Sequence, residues 1–390
     1  MNFLFSSVLC SKRMLSYLQE KAQIKPSYSV QKFCRLIAVG LIKNGSKVST
    51  ISSVPFTRKS IKRLVFNVKA EFEDHIEYHY AFSINVPLIK NLCVFLYSFF
   101  FTLFWCVKNK KGVVICDVLQ VSTCIGSLLA TKIANRICVG VVTDMPGYSV
   151  NKGASSIVSK VMMLYINSFD KYILLTEEMN ELINKKKRSY IIMEGLVDSE
   201  MISGERIIKS EKKEFIYAGG LYEKYGVKML IDAFIKLKNN TTELHLYGKG
   251  DLVNYIQKKS QEHKNIRYHG VVPNKEVVQA ELKAFLLINP RFTSEKLTRY
   301  SFPSKNMEYM VSGTPVLTTN LSGMPEKYKK YVYLIEDETE DGLKNTFERI
   351  LNLPEKDVIM RGLLAKEFVL QKKNNVIQMK KIIDFINRNE

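Results

Sequence analysis

The chain has 390 residues, 46% of them hydrophobic, with 58 Lys and Arg against 38 Asp and Glu for a net charge of +20. That length and apolar content call for two domains, each with its own core. The seven cysteines are odd in number, lie between Cys10 and Cys138 and form no Cys-x-x-Cys pair, so they read as small buried side chains of a reducing compartment, not as a disulfide framework.

In chain order, the residues from Asn2 to Val8 read as a first strand, followed by a loop through Pro26 and a helix from about Val30 to Asn44. Lys47–Ser52 is a second strand. Asn91–Val107 is an uncharged, aromatic stretch of 17 residues, at the lower limit for crossing a bilayer. A strand follows it at once, so it reads as a helix of the first domain, buried on one face and either covered or touching lipid on the other. Further strands are expected at Gly112–Asp117, Val139–Asp144 and Lys171–Thr176. A linker is expected near Glu194–Asp198, after the basic run Lys185–Arg188.

The second half begins with Phe215-Ile-Tyr-Ala-Gly219-Gly220, a strand entering a Gly turn, and an amphipathic helix ends near Phe234. Leu244–Asp251 reads as a strand running into a Gly-rich loop that opens a helix. In the segment from Tyr300 to Val316, Pro303 suits a first helical turn, Gly313 a helix end and Val316 a new strand. A charged helix from about 372 to 388 closes the chain. Strands alternating with helices predict parallel α/β sheets. The expected organisation is two Rossmann-like doubly wound domains facing a central cleft, residues 1–198 and 199–370, with 371–390 packing back on the first.

Free backbone N–H groups at the helix start around Ser304 and Lys305 are aimed where an anion, and in particular a diphosphate, could sit. Glu308, one turn on, is placed to accept hydrogen bonds from ribose hydroxyls. In open parallel sheets ligands collect at the carboxyl ends of strands, which singles out Asp117 and Asp144. Met145-Pro-Gly-Tyr148 is a turn that would fix the Asp144 carboxylate.

The segment Ile288-Asn-Pro-Arg291 through Glu295 and Tyr300 to Lys305 and Glu308 resembles the signature of family 4 glycosyltransferases, enzymes of the two-domain GT-B fold. It is similar above all to a bacterial branch of surface-polysaccharide synthesis in which Phe-Pro-Ser-Lys recurs. The common signature has a Glu eight residues before the second, and Tyr300 stands there in this chain. The Gly219-Gly220 and Gly248-Lys-Gly250 segments resemble the same family in the same order. An Arg and a Lys of the common pattern are replaced by Gly220 and Tyr225. Lys224, Arg291, Arg299 and Lys305 are the cations left for a leaving diphosphate.

The resemblance implies transfer of a sugar, with retention of configuration, from a nucleotide-diphosphate sugar to a saccharide acceptor. Lys305 and Arg291 would stabilise the leaving group, and Asp144 would orient the acceptor. Gly219, Gly220, Lys224, Glu295, Tyr300, Ser304, Lys305 and Glu308 would bind the donor, and the base would sit near Gly270–Pro273. With five scattered His and no Asp-x-Asp site, neither a metal nor another cofactor is expected. Alternatives are a GT-B nucleotide-sugar epimerase and an inactive membrane scaffold for a partner glycosyltransferase.

Charge adds a location. The first 150 residues carry 19 Lys and Arg against 7 Asp and Glu, an excess of +12. Clusters at Arg58–Arg63 and Lys108–Lys111 would attract anionic lipid at roughly 1 kcal/mol per charge. No nucleic-acid-binding signature accompanies them. The apolar run at the N-terminus is too short for a signal peptide. The expected location is therefore cytoplasmic, at the inner membrane face, with a polyprenyl-linked acceptor.

Overall fold

The computed structural model describes residues 1–145, 156–201 and 212–388. It divides into two compact units, Met1–Leu196 with Asn375–Glu390, and Val197–Asn374.

In the first unit the strands are β1 (Asn2–Ser7), β2 (Lys47–Ser52), β3 (Val65–Phe66), β4 (Glu71–Glu73), β5 (Ile76–Tyr80), β6 (Ser83–Ile84), β7 (Val113–Asp117), β8 (Cys138–Val142), β9 (Lys171–Leu174) and β10 (Tyr190–Ile192). Its helices are α1 (Lys12–Lys21), α2 (Tyr28–Lys43), α3 (Pro87–Lys108), α4 (Val121–Ile133), α5 (Ser156–Ile166) and α6 (Glu177–Ile183). The main sheet has the order β10-β9-β8-β7-β1-β2-β5-β4 and is parallel except for the edge strand β4. β7 and β8 are buried along their whole length, as a sheet covered on both faces requires. Phe3, Phe5, Tyr78, Ile115 and Val141 form its core.

The second unit contains β11 (Lys213–Gly220), α7 (Val227–Leu237), β12 (Thr242–Lys249), α8 (Val253–Glu262), β13 (Ile266–Gly270), α9 (Asn274–Lys283), β14 (Leu286–Asn289), α10 (Ser304–Ser312), β15 (Val316–Thr319), α11 (Glu326–Lys329), β16 (Tyr333–Ile335), α12 (Glu340–Leu351) and α13 (Glu355–Lys372). Its sheet is wholly parallel, in the order β13-β12-β11-β14-β15-β16. Phe215, Phe234, Phe285 and Phe347 cluster between sheet and helices.

The closing helix α14 (Asn375–Asn387) belongs to the first unit, where Met379, Ile382 and Ile386 enter the core. It packs on α2: the Asn44 side-chain amide donates to Val376 O at 2.8 Å, and a Cβ on Gly40 would lie 2.5 Å from Asn375 O. Residues 371–374, expected to begin the tail, stay with the second unit, where Val197 N donates to Lys373 O at 3.1 Å.

Two expectations need correction. The loop expected between Val8 and Val30 contains α1, whose N-cap Ser11 accepts from Met14 N; it buries only Met14 and Leu18, too thin a stripe to stand out. The hairpin β4–β5 was not anticipated. Its two-residue turn is Asp74-His75, both with positive φ (51° and 62°), the geometry that Asn-Gly more commonly supplies.

Candidate functional site

In the second sheet the strand order reverses between β11 and β14, and in open parallel sheets ligands collect in the crevice beyond the carboxyl ends of the strands at such a reversal. β11 ends in Gly219-Gly220, and β14 leads through Asn289 to Pro290 and Arg291. Two glycines let the loops approach. Gly226 is left-handed, with a would-be Cβ 1.9 Å from Pro290 O; Gly248 has φ 131°, with a would-be Cβ 1.8 Å from Gly219 O.

α10 starts at this crevice. Pro303 is its cap residue, one position earlier than expected, and Gly313 ends it in the left-handed conformation. Buried amides fix its position: Asn289 Nδ2 donates to Asn306 Oδ1 at 2.8 Å, and Asn306 Nδ2 to Thr318 Oγ1 at 3.1 Å. Ala218 N donates to the Tyr309 hydroxyl at 2.9 Å, which ties the helix to β11.

Lys305, the second residue of α10, lies across Gly219. A Cβ at Gly219 would stand 2.3 Å from its Cε and 2.4 Å from its Nζ. Burial pushes the Lys305 pKa below the ordinary lysine value, and the Arg291 charge adds to the shift, while Glu308 and Glu281 oppose it. The ammonium is thus held in a desolvated place that a bound anion would favour.

Arg291 stands beside it. Its guanidinium lies over the Tyr225 ring, 4.6 Å from the centroid, and its Nε–H is buried without a hydrogen-bond partner among the described residues. An unpaired buried donor is costly unless a ligand meets it. The Tyr217 hydroxyl donates to Gly220 O at 2.8 Å, holding the Gly turn in shape, and burial raises its pKa. The loop after β14 is also fixed from behind: Thr293 N donates to the Glu338 carboxylate at 2.9 Å.

The structure therefore brings Gly219, Gly220, Arg291, Ser304 and Lys305 to one crevice. Glu308 lies one turn along α10 and is exposed, as is Ser304. Lys224 sits beside the same loop, its ammonium 5.5 Å from the Tyr225 centroid. Glu295 and Tyr300 are half-buried on the segment between β14 and α10, and the Glu295 carbonyl accepts from Thr298 N and Oγ1. Gly270 ends β13 with φ 70°, and Val271 after it is exposed. Tyr217 and Tyr225 were not among the expected donor-site residues. The one sequence signal was Tyr225 standing where the resembling family has a cation.

Asp144 belongs to the first unit. It is exposed, two residues beyond β8, and the Pro146–Tyr148 turn lies outside the described residues. Its charge is felt by Asp117, which ends β7 and accepts from Leu119 N at 3.1 Å and Gln120 Nε2 at 3.2 Å. Burial, with Asp144 adding, pushes the Asp117 pKa up to about 6. Both carboxylates lie at the carboxyl edge of their sheet, near its own reversal between β1 and β7.

Comparison with known proteins bears on the fold and on the second unit. Residues 198–361, within the second unit, match the family described as glycosyl transferases group 1. No curated protein sequence matches the chain. Among solved structures, HepE of Anabaena in complex with UDP is similar at 13% identity, with 99% of both chains covered and a TM-score of 0.66. Sucrose-phosphate synthase of Thermosynechococcus elongatus is similar at 14% identity, 99% coverage of both chains and a TM-score of 0.67. The apo form of the lipopolysaccharide outer core galactosyltransferase WaaB is similar at 15% identity, 99% coverage of both chains and a TM-score of 0.59. The chain thus has the GT-B fold of two Rossmann-like domains, and its second unit carries the match to glycosyl transferases group 1.

Proposed function

We propose that the protein is a glycosyltransferase that moves a sugar from a nucleotide-diphosphate sugar to a saccharide acceptor, with retention of configuration. The observation that carries this is the pairing of a desolvated ammonium, Lys305, with a buried unpartnered guanidinium N–H, Arg291, over a Gly turn at the sheet's reversal. A diphosphate gains negative charge as the glycosidic bond breaks, and fixed cations and N–H groups at that place stabilise it. The α10 N-terminus adds backbone donors at Ser304 and Lys305.

In this reading Glu308 holds the ribose, while Lys224, Glu295 and Tyr300 line the sugar and diphosphate. The bond from the anomeric carbon to the diphosphate oxygen breaks, and the acceptor hydroxyl oxygen bonds that carbon from the same face. The acceptor proton passes to the departing phosphate oxygen. Because side-chain cations and backbone N–H groups supply the charge, the proposed mechanism uses no metal. Asp144, with Asp117 behind it, orients the acceptor from the first unit.

We assign the acceptor to lipid-linked saccharides at the cytoplasmic membrane face, in surface-polysaccharide synthesis. The excess of +12 in the first 150 residues supports this, as does the likeness to the lipopolysaccharide outer core galactosyltransferase WaaB. The test is nucleoside-diphosphate release from a panel of nucleotide sugars, with and without a membrane lipid extract, for wild type, Lys305→Ala and Glu308→Ala. Release dependent on one donor and lost in both variants is expected. No release from any donor, or turnover unchanged in both folded variants, would refute the assignment.

A further inference from the structure

Helix α3 is inside out for a helix on a water-facing surface. Towards the protein it turns Ser98, Thr102 and Cys106, with Val94 and Trp105, all buried. Thr102 Oγ1 donates to Ser127 Oγ of α4 at 3.1 Å, and a Cβ on Gly126 would stand 2.5 Å from Phe95 O, so the two helices meet backbone to backbone. Outward, at i, i+4 spacing, it turns Leu88, Leu92, Leu96, Phe100 and Phe104, which are 84, 57, 42, 63 and 61% exposed. α4, packed along it, exposes Leu129 and Ile133. Isolated exposed apolar residues are ordinary, but a continuous stripe of large ones marks a binding surface.

Along the chain between β5 and β7 the charge is of one sign. No Asp or Glu occurs between Glu77 and Asp117. At the start of α3, the loop carrying Arg58, Lys59, Lys62 and Arg63 is tied down by Asn85, whose side-chain amide donates to Ile61 O at 2.9 Å and Arg63 O at 3.0 Å. Leu64 at the end of that loop and Val65, which opens β3, are exposed as well. At the far end Lys108 lies over the Phe104 ring at 4.3 Å, and Lys110 and Lys111 follow, both exposed.

We propose that α3 is an interfacial anchor that lies flat in the surface of an anionic bilayer, its Leu and Phe stripe among the acyl chains and its basic ends among the headgroups. α3 has 22 residues, enough to cross a membrane. It does not cross, because β5 before it and β7 after it are strands of one sheet and its polar face is bound to α4. A second copy is a poor occupant, because a two-fold contact would set the cationic ends of one stripe against the other's. A lipid surface offers both the apolar depth and the negative charge.

The inference rests on the proposed function only for its purpose, which is to bring the acceptor site to a lipid-linked substrate. Its test is separate from turnover. The full chain is sedimented with vesicles of phosphatidylcholine alone and with phosphatidylglycerol added, at about 50 and about 500 mM salt. Binding only to the anionic vesicles, weakened at least tenfold by salt, is expected. Phe100→Asp with Phe104→Asp should abolish it. Lys108→Ser with Lys110→Ser and Lys111→Ser, which leaves the stripe intact, should weaken it about tenfold or more. Folding of both variants is checked by the fluorescence of Trp105, the single Trp of the chain, on the buried side of α3.

Absence of wild-type binding at low salt overturns the proposal, as does undiminished binding of the Phe variant. Wild-type self-association that the Phe variant abolishes, without vesicle binding, would give the face to a second copy and also overturn it. If vesicle binding behaves as expected but no donor is turned over, the anchor stands and the glycosyltransferase reading falls. If the Phe variant loses vesicle binding yet still transfers to a water-soluble acceptor, both stand.

Discussion

Gly219→Ala separates the catalytic use of the crevice from its stability. The Gly219 backbone is outside the left-handed region, so alanine can adopt it, but the new Cβ would lie 2.3 Å from Lys305 Cε and 2.4 Å from its Nζ. The obstacle is the far end of a flexible side chain, which will swing away. Since burial already disfavours the Lys305 charge, moving it towards water relieves a cost, and stability should change by no more than about 1 kcal/mol in either direction. Catalysis should respond far more. At an effective dielectric of about 20, moving a unit charge from about 3 to about 6 Å from a phosphoryl oxygen loses roughly 3 kcal/mol, about a hundredfold in kcat. Lys305→Ala should fall further, by up to about 5.5 kcal/mol on the same arithmetic, and the double variant should fall no further than Lys305→Ala, because both act through one ammonium. The assay is nucleoside-diphosphate release at saturating donor, alongside denaturant midpoints. A Gly219→Ala enzyme with full kcat, or losses that simply multiply in the double variant, would show that Lys305 is not stabilising the leaving group from this position.

Arg291→Lys should raise the donor Kd about tenfold or more, since lysine offers neither the Nε–H nor a plane to lie on Tyr225. Tyr225→Phe should keep wild-type affinity and Tyr225→Ala should not, as titration calorimetry with the donor nucleotide can show. Because the Lys305 pKa is lowered, the alkaline limb of kcat/KM should fall below the ordinary lysine range, and Lys305→Arg should move it to higher pH. Asp117, raised from 3.8 to about 6, gives stability that is full below pH 3.8 and is lost as pH rises through 6. Asp117→Asn should therefore gain on wild type between pH 4 and 7, by up to about 3 kcal/mol; denaturant curves that stay parallel at the two pH values would contradict this. Gly126→Ala should cost about 1–3 kcal/mol, since its Cβ would stand 2.5 Å from Phe95 O, measurable as a lowered denaturation midpoint.

Much of the second unit was legible because its punctuation is local. Gly219-Gly220, Gly248, Pro303 and Gly313 each mark the end or start of an element, and β11 carries the apolar run Phe215-Ile-Tyr-Ala just before its glycines. Lys305 could be placed at a helix start from Pro303 before it and Gly313 after it. What could not be read was contact across the chain. Tyr225 and Arg291 are 66 positions apart in number, and only the fold lays one on the other. The same holds for Asn289, Asn306 and Thr318, ordinary polar residues until they are buried together. In the first unit, α1 and the β4–β5 hairpin escaped notice because they bury few side chains and turn without glycine. The aromatic stretch at 91–107 was recognisable as a helix with one buried face, but which face was buried depended on α4, whose small Gly126 and Ser127 accept the polar side.

The return of α14 to the first unit has a consequence for biosynthesis. Met379, Ile382 and Ile386 complete a core whose other members, from Phe3 to Met193, leave the ribosome before the whole second unit has been made. During synthesis the first sheet therefore waits with α2 uncovered along Gly40 and Asn44, while Val197–Asn374 can close on its own contiguous sequence. The later domain in the chain is free to fold first, and the earlier one finishes last. A nascent chain arrested before Asn375 should accordingly show a protease-resistant second unit attached to a protease-sensitive first, and a stop codon in the last turn of α13 should yield protein that aggregates through the face α14 would have covered.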